Sequence, residues 1–244
     1  MTYKDKLYAA YVSSGQSGVA TNFSKEQIFS SKKYYIEKII KNQLFTYDKN
    51  IKIVDIGCGY GMFIYYLHEM GFKNAIGVDI SKEQIDLGKN LGISNLYCLD
   101  MNEFLVQNPH EVDVFLLIDI VEHLTFDEIF VMIEKLKSKM TENSILIIHI
   151  PNAEGLFGMR VRYGDITHET AFTPKSINQL LKTLGFGKVE CFEDKPIIHG
   201  VKSFLRRIAW DLITIYYKFL LMIETGETKF ILSQNMTVIA QIKK

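Results

Sequence analysis

Excess charge of either sign is missing from this sequence. Its 28 Lys and Arg balance 28 Asp and Glu over 244 residues, whereas strong nucleic-acid binders carry a basic surplus that neutralises phosphates. The balance speaks against an RNA or DNA partner. Cysteine is scarce as well. Cys58, Cys98 and Cys191 form an odd, scattered set without CxxC spacing, which reads as reduced, half-buried thiols of a cytoplasmic protein. The opening Met-Thr-Tyr-Lys-Asp-Lys lacks the apolar h-region of a secretory signal. No uninterrupted apolar run reaches the roughly 20 residues a spanning helix needs. The nearest approach, IAWDLITIYYKFLLMI at 208–223, is broken by Asp211 and Lys218. It is expected to be a buried or lid helix, or else a surface touching a membrane or a lipid-linked substrate. The expected location is cytoplasmic, with the inner face of a membrane as a peripheral contact. Internal repeats, low-complexity tracts and a Ser-His-Asp or Cys-His nucleophile set are absent too.

What the chain does have is apolar material in an ordered rhythm. Hydrophobic residues make up 48% and charged residues 23%, enough for a well-packed core. Runs at 51–57 (IKIVDIG), 75–80 (AIGVDI), 95–100 (NLYCLD), 111–119 (EVDVFLLID) and 144–150 (SILIIHI) read as strands. Helices are predicted between them at about 61–71, 82–91, 103–108 and 126–140, the last on the helical spacing of Ile129, Ile133, Leu136 and Met140. Such alternation means an α/β fold with a mostly parallel sheet covered on both faces. Pro174 opens a further helix, which Gly185 stops. Two late strands, 187–193 and 236–243, leave the rhythm and are separated by the stretch that holds 204–223. Residues 1–50 read as a helical extension of the same domain, with a Ser/Gly-rich loop at 13–18 and a helix over 24–43. Residues 51–244 form the main body, with insertions at about 153–172 and 195–235.

At 54–61, VDIGCGYG puts Gly57, Gly59 and Gly61 on a strand-to-helix turn. Glycines there permit a tight turn and a close approach of backbone to ligand at the carboxyl end of the first strand. The dinucleotide fingerprint G-x-G-x-x-G requires glycine where Met62 stands, so that version fails. Instead Asp55, Asp79 and Asp100 each sit at a strand end. A carboxylate at Asp79 accepts both hydroxyl protons of a ribose. Asp55 suits an ammonium, which a pyrophosphate would not provide, and Asp100 an adenine amino group. Together these acids describe S-adenosylmethionine better than a nicotinamide cofactor.

With these motifs the sequence resembles the class I S-adenosylmethionine-dependent methyltransferases. The loop VDIGCGYG, the acid in GVDIS, the Leu-Asp-Met run at 99–101 and the segment at 111–124 carry the resemblance, over roughly 50–190. It implies a Rossmann-like, seven-stranded, mostly parallel sheet with helices on both faces and an antiparallel C-terminal strand pair. It places Gly57 and Gly59 at the methionyl part of the cofactor, Asp79 at the ribose, and Asp100 and Met101 around the adenine, with Ile80 also in the cofactor-binding set. Asp55 and Asp119 complete the expected cofactor-binding set. A narrower likeness lies in IPNAEGLFGMRVRYGDITHETAFTPKSINQLLKTLGF (150–186) and the Lys-Ser-Phe-Leu-Arg-Arg run of the tail. These are similar to methyltransferases of bacterial polysaccharide biosynthesis. The same frame is similar to ubiquinone-biosynthesis O-methyltransferases and to small-RNA 3′-terminal 2′-O-methyltransferases. Both carry E-x-x-E-H where this chain has Asp119-Ile120-Val121-Glu122-His123. In the RNA enzymes those residues and a later histidine, matched by His168, hold a divalent metal; Asp119 departs from the glutamate and shortens one arm.

Asp119, Glu122 and His123 close an apolar strand, where burying two carboxylates and an imidazole is costly without a partner. Three readings stand side by side. In one, Asp119, Glu122, His123 and His168 hold Mg²⁺ or Mn²⁺, which binds vicinal hydroxyls and lowers the pKa of the one attacked. In the second, His123 or His168 takes the hydroxyl proton, oriented by Glu122 or Asp119. In the third, Glu122 caps the next helix and His123 is merely packed. His149, inside the fifth strand, reads as structural; His199 is a loop residue within reach of an acceptor. Arg160, Arg162 and Tyr163 are either solvated or bind an anionic acceptor. Methyl transfer is an in-line displacement needing alignment, desolvation and proton removal, and His123, His168 and Glu122 are the expected catalytic groups. The expected activity is methylation of a hydroxyl on a sugar, nucleotide-sugar or surface glycan. Methylation of a quinone or aromatic lipid precursor is the alternative, and a silent cofactor-binding scaffold a more distant one. The expected partners are therefore a small-molecule or glycan acceptor, with a peripheral membrane or lipid-linked contact, and no nucleic acid.

Overall fold

The computed structural model describes residues 3–15, 25–108 and 110–242. Two helices precede the sheet, α1 (Tyr3–Ala9) and α2 (Lys25–Ile36), and α2 continues through a π-helical turn at Glu37–Lys41 into a last turn, α3 (Asn42–Leu44). Then β1 (Ile53–Ile56), α4 (Met62–Glu69), β2 (Ala75–Asp79), α5 (Lys82–Asn90), β3 (Leu96–Cys98), α6 (Met101–Gln107) and β4 (Val112–Ile118) alternate. After a 3-10 turn at Val121–His123 come α7 (Phe126–Lys137), β5 (Met140–Pro151), α8 (Gly158–Arg162) and α9 (Pro174–Thr183). The remaining elements are β6 (Lys188–Glu193), α10 (Val201–Thr225) and β7 (Asn235–Gln241). Of the expected Ser/Gly loop at 13–18, residues 16–18 lie outside the described residues, as do the ends of the expected helix at 24 and strand at 243.

All seven strands join one sheet in the order β3-β2-β1-β4-β5-β7-β6. β1 pairs in parallel with β2 and β4, β2 with β3, and β4 with β5. Only β7 runs the other way, antiparallel to β5 and β6. This is the expected Rossmann-like sheet with its antiparallel C-terminal pair. Side chains of successive strand residues point to opposite faces, and the two cores divide on that rule. Val54, Ile56, Phe115, Leu117, Leu146 and Ile148 pack under α6, α7 and α9. Ile53, Val114, Leu116, Ile145 and Ile147 pack under α2 and α4. A sheet buried on both faces explains why its strands read as nearly continuous apolar runs.

Local signals place the helix starts. Thr125 and Glu128 form a reciprocal capping box ahead of α7, and Thr173 with Ser176 forms another ahead of α9, where Pro174 takes the first helical turn. α7 ends at Lys137, earlier than its apolar spacing suggested, because Met140 already pairs with Val112 as part of β5. The chain leaves β1 toward β2 and leaves β4 toward β5. The crevice between these departures, at the carboxyl ends of β1 and β4, is where open α/β sheets bind ligands.

The expectation of a buried helix over 204–223 is corrected. α10 forms, but only Ser203 and Thr214 are buried in it. Leu205, Leu212, Ile215, Tyr216 and Ile223 are each 59% to 66% exposed. The physical reason is that its polar side faces the body, held by Arg207–Asp211, Lys195–Asp211 and Lys218–Glu193 ion pairs.

Candidate active site

The crevice holds a cavity of about 570 Å³, within the range of small-molecule sites. Of the expected cofactor residues, Gly57, Asp79, Ile80, Asp100, Met101 and Asp119 line it. Gly57 has φ +74°, and a Cβ there would stand 2.4 Å from Ile120 Cδ1, so only glycine keeps the loop in contact with the residue after Asp119. Gly59 lies behind the lining and donates its N–H to Asp79 Oδ2 at 2.8 Å, while Ser81 N–H donates to Asp79 Oδ1 at 2.7 Å. Asp79 thus ties β2 to the glycine loop and keeps further lone pairs for a diol. Asp100 caps α6, accepting from Asn102 N–H at 2.7 Å. Asp55 is 1% exposed, below the loop and not in the lining. Neither of its carboxylate oxygens has a hydrogen-bond partner among the described residues. Burial, then the neighbouring Asp79 and Asp119, push its carboxyl well above the usual range.

The field of this cavity has one sign. Asp79, Asp100, Asp119, Asp127 and Glu128 line it, and no Lys or Arg does among the described residues. Such a field favours a cation such as a sulfonium with its ammonium, and repels a pyrophosphate. Two further lining residues, Tyr8 and Tyr11, come from the N-terminal extension; sequence reasoning missed them, although they stand one helical turn apart. They are held there because Ser81 Oγ donates to Tyr8 O at 3.2 Å and Val12 N–H donates to Glu83 Oε2 at 3.1 Å. At the other end of α1, Lys4 Nζ donates to His123 O at 2.7 Å and pairs with Glu169 at 3.0 Å.

Beside the cavity, Glu122, His123 and His168 each bring one ligand atom within 4.8 Å of the others. Their hydrogen bonds fix the histidine tautomers. Thr167 Oγ1 donates its single proton to Asp165 Oδ1 at 2.6 Å, so His123 Nδ1, 2.7 Å from the same oxygen, must be the donor. His168 Nδ1 faces the carbonyls of Val161 and Arg162 at 3.1 and 3.2 Å, which only accept. Both rings therefore carry a proton on Nδ1, which leaves Nε2 as the nitrogen available to a ligand or acceptor. Burial, reinforced by His168, lowers the His123 pKa to about 4, so it is neutral near pH 7. Glu122 is 2% exposed with Oε2 unpartnered among the described residues; burial, then Asp119, holds its carboxyl well above the usual range. Asp165 and Thr167 belong to the D-x-T-H-E stretch, which marked His168 without revealing what they do.

Asp119 is drawn out of this group. Its Oδ1 lies 2.5 Å from His149 Nδ1 and its Oδ2 accepts from Tyr35 O–H at 3.0 Å. His149, fully buried, reaches Asp194 Oδ2 with its other nitrogen at 3.4 Å, and Lys38 pairs with Asp194 in turn. Burial works against charge on His149, but Asp119 and Asp194 outweigh it and raise its pKa to about 10. Burial likewise opposes charge on Asp119, yet the His149 imidazolium and the hydrogen bonds from His149 and Tyr35 hold it below the ordinary value. Asp119 is thus a charged wall of the cavity, and His149 is its counter-ion as well as a core residue. The reading of His149 as merely structural is amended on that ground.

The other expected residues lie elsewhere. His199 stacks on Tyr34 with centroids 4.8 Å apart, and its N–H donates to Ser203 Oγ. Arg162 donates to Glu169 O at 2.9 Å. None of Arg160, Arg162, Tyr163 and His199 lines the cavity. His68 contacts Ala75 O at 2.9 Å through Nε2, a bond that joins α4 to β2.

Comparison with known proteins agrees with this geometry. A family model described as "Methyltransferase domain" matches residues 27–190. A ubiquinone biosynthesis O-methyltransferase of Pelagibacter ubique is 30% identical over 48% of this chain and 50% of its own length, so the chain spans about half of that relative. Among solved structures, a S-adenosylmethionine-dependent methyltransferase from Archaeoglobus fulgidus has a TM-score of 0.64 at 23% identity, over 95% of this chain and 99% of that one. Magnesium protoporphyrin IX methyltransferase from Synechocystis, solved with S-adenosylhomocysteine, has a TM-score of 0.58 at 14% identity, over 98% of each chain. The likeness to these structures is one of fold. With a family match over 27–190 and an acidic cavity at the glycine loop, the chain belongs to the methyltransferase-domain family.

Proposed function

We propose that the enzyme methylates an aromatic hydroxyl of a quinone-type precursor, with His168 as the group that takes the proton. The observation that carries this reading is the pair of imidazoles, each donating through Nδ1, that brings one ligand atom apiece within 4.8 Å of one another and of buried Glu122 beside the cavity. A phenol-like hydroxyl ionises near pKa 10, as tyrosine does, within the reach of a neutral imidazole in the transition state. A sugar hydroxyl holds its proton more tightly. His123, with a pKa of about 4, is too weak a base for the task; it serves to position the acceptor hydroxyl. Leu124, Val131 and Met132, with Tyr8 and Tyr11, give the cavity apolar and aromatic walls, which suit a planar ring. The Pelagibacter relative, named for ubiquinone biosynthesis, favours the same acceptor class. The expected glycan acceptor gains no comparable support from the relatives above.

The same three side chains fit a divalent cation. Each histidine donates Nδ1–H to an oxygen and leaves Nε2 free, the arrangement of metal-ligating histidines. With Asp119 engaged by His149, the set is two imidazoles and one carboxylate, which suits Mn²⁺, Fe²⁺ or Zn²⁺ better than Mg²⁺. When bound, such an ion would lower the pKa of a coordinated hydroxyl. The chain's own part is independent of it: Asp79 and the glycine loop hold the donor, and α1 excludes water.

The test is methyl transfer by the purified protein to prenylated catechols and to nucleotide-sugars, before and after exhaustive chelation. Catechol methylation is expected, with His168→Ala lowering kcat roughly 10²- to 10⁴-fold while S-adenosylhomocysteine binding is unchanged. Turnover of nucleotide-sugars alone would overturn the acceptor, and undiminished turnover of His168→Ala would overturn the base. Activity that chelation leaves intact would remove the cation.

A further inference from the structure

Apolar surface on a folded protein normally turns inward; α10 does the reverse. Its inner side presents Ser203, Arg207, Asp211, Thr214 and Lys218, tied to Glu193 and Lys195 of the preceding strand and loop. Its outer side presents Phe204, Leu205, Ile208, Leu212, Ile215 and Phe219, each at least 43% exposed. Adding Ile213, Tyr216, Leu220 and Ile223, the apolar arc spans roughly 180° of the circumference at 100° per residue and runs about 29 Å along the axis. Single exposed apolar residues need no explanation, but a contiguous patch of this size marks an interaction surface.

We propose that α10 is an in-plane docking helix that seats the protein on a lipid surface. Shape decides between occupants. The arc is convex, and two convex helices meet along a narrow seam of two positions in seven, so a second copy would leave most of it wet. A fluid acyl boundary deforms around a cylinder and covers the whole arc. Charge agrees: Lys202 and Arg206 are exposed at one flank near the N-terminal end, against Glu224 as the exposed acid at the far end, giving the helix a basic edge for anionic headgroups. The helix lies on the surface, since no helix among the described residues is long and apolar enough to cross a membrane. The ion pairs on the inner side fix its orientation, so the body stays in water while the arc enters the headgroup layer. This inference stands on α10 alone and does not depend on which acceptor is methylated.

Flotation with vesicles of phosphatidylcholine, and of phosphatidylcholine with phosphatidylglycerol, tests it on the full chain. The protein is expected to float with both and more strongly with the anionic ones. Leu212→Glu/Ile215→Glu, at side chains exposed to solvent, is expected to lower partitioning about tenfold or more, with circular dichroism and S-adenosylhomocysteine affinity unchanged. Arg206→Glu should weaken only the preference for anionic vesicles. A protein that stays in solution with both vesicles overturns the proposal. If sedimentation then shows a dimer that Leu212→Glu/Ile215→Glu dissociates, a second copy covers the arc; if it shows a monomer, the arc has no lipid role.

Discussion

Asp119 adopts φ +53°, a left-handed conformation that a residue with a Cβ keeps only when its surroundings hold it. What holds it is His149 and Tyr35 at its two carboxylate oxygens. His149→Gln would leave Asp119 and Asp194 facing each other without the cation between them. The loss expected in urea unfolding is about 1–3 kcal/mol, less than for a fully buried pair, because the Asp119 side chain is 47% exposed to the cavity and Lys38 still pairs with Asp194. The pH dependence has a definite sign. The folded pKa of His149, about 10, lies above its unfolded value of 6.5, so its contribution is complete below pH 6.5 and is lost as pH rises toward 10. Wild-type stability should therefore fall across that window, and the fall should be shallower in His149→Gln. Asp55 acts in the same direction. Its folded pKa is raised, so the folded state keeps a proton that the unfolded chain gives up, and stability declines as pH climbs above 3.8. Asp55→Asn should flatten that decline in the free protein, measurable as a shallower pH dependence of urea unfolding. Asp55 lies within β1 and outside the lining, but that Asp79 and Asp100 line the cavity was legible because each closes a strand in the sequence. The Asp119–His149 pair was not, because it depends on the β4–β5 register, which sets Ile118 beside His149, and no local pattern encodes which residues of two strands face each other.

Helices and strands were read from periodicity and caps, and the strand–helix alternation through β5 survives in the structure with shifts of a few residues at the ends. The reading weakened where an element's partner is remote. α1 is a short helix whose importance lies in what it covers: Tyr8 and Tyr11 against the cofactor cavity, Lys4 against His123 O and Glu169. Nothing in KLYAAY announces those distant contacts. Tyr8→Ala/Tyr11→Ala is expected to raise the dissociation constant for S-adenosylhomocysteine about tenfold, since two aromatic walls of the cavity are removed; isothermal titration would show it. An unchanged constant would mean that α1 lies over the cavity without shaping it. At α9, Thr173→Ala removes the side chain that accepts from Ser176 N–H at 3.1 Å, and about 1 kcal/mol of stability should go with it, measurable by urea unfolding.

For the whole molecule, zero formal charge and an apolar ridge act together. Without net repulsion, molecules that expose such a ridge approach one another freely, so light scattering should show the lowest solubility near pH 7. Leu212→Glu/Ile215→Glu should raise it. The apolar run at 208–223, broken by Asp211 and Lys218, was plain in the sequence, but the side of it that meets the body was not. Hydrophobic spacing says that a helix has two sides; which side meets the body was decided by Glu193 and Lys195, from outside the segment. The five parallel strands, in contrast, were legible because each strand–helix unit repeats the same instruction, whereas β6 and β7 leave that rhythm and their place in a seven-stranded sheet came from the family resemblance.

One contact pattern bears on turnover. A single short helix is bonded at one end to the ribose-side residues Ser81 and Glu83 and at the other to the acceptor-side His123 and Glu169. On the site proposed above, demethylated donor and methylated acceptor would leave past the same helix, and an exit shared by two departures would make their order a property of the enzyme. Where such an opening is slow, it and not the chemistry sets kcat. A pre-steady-state burst of product, and a steady-state rate that falls with solvent viscosity, are the kinetic marks expected of it.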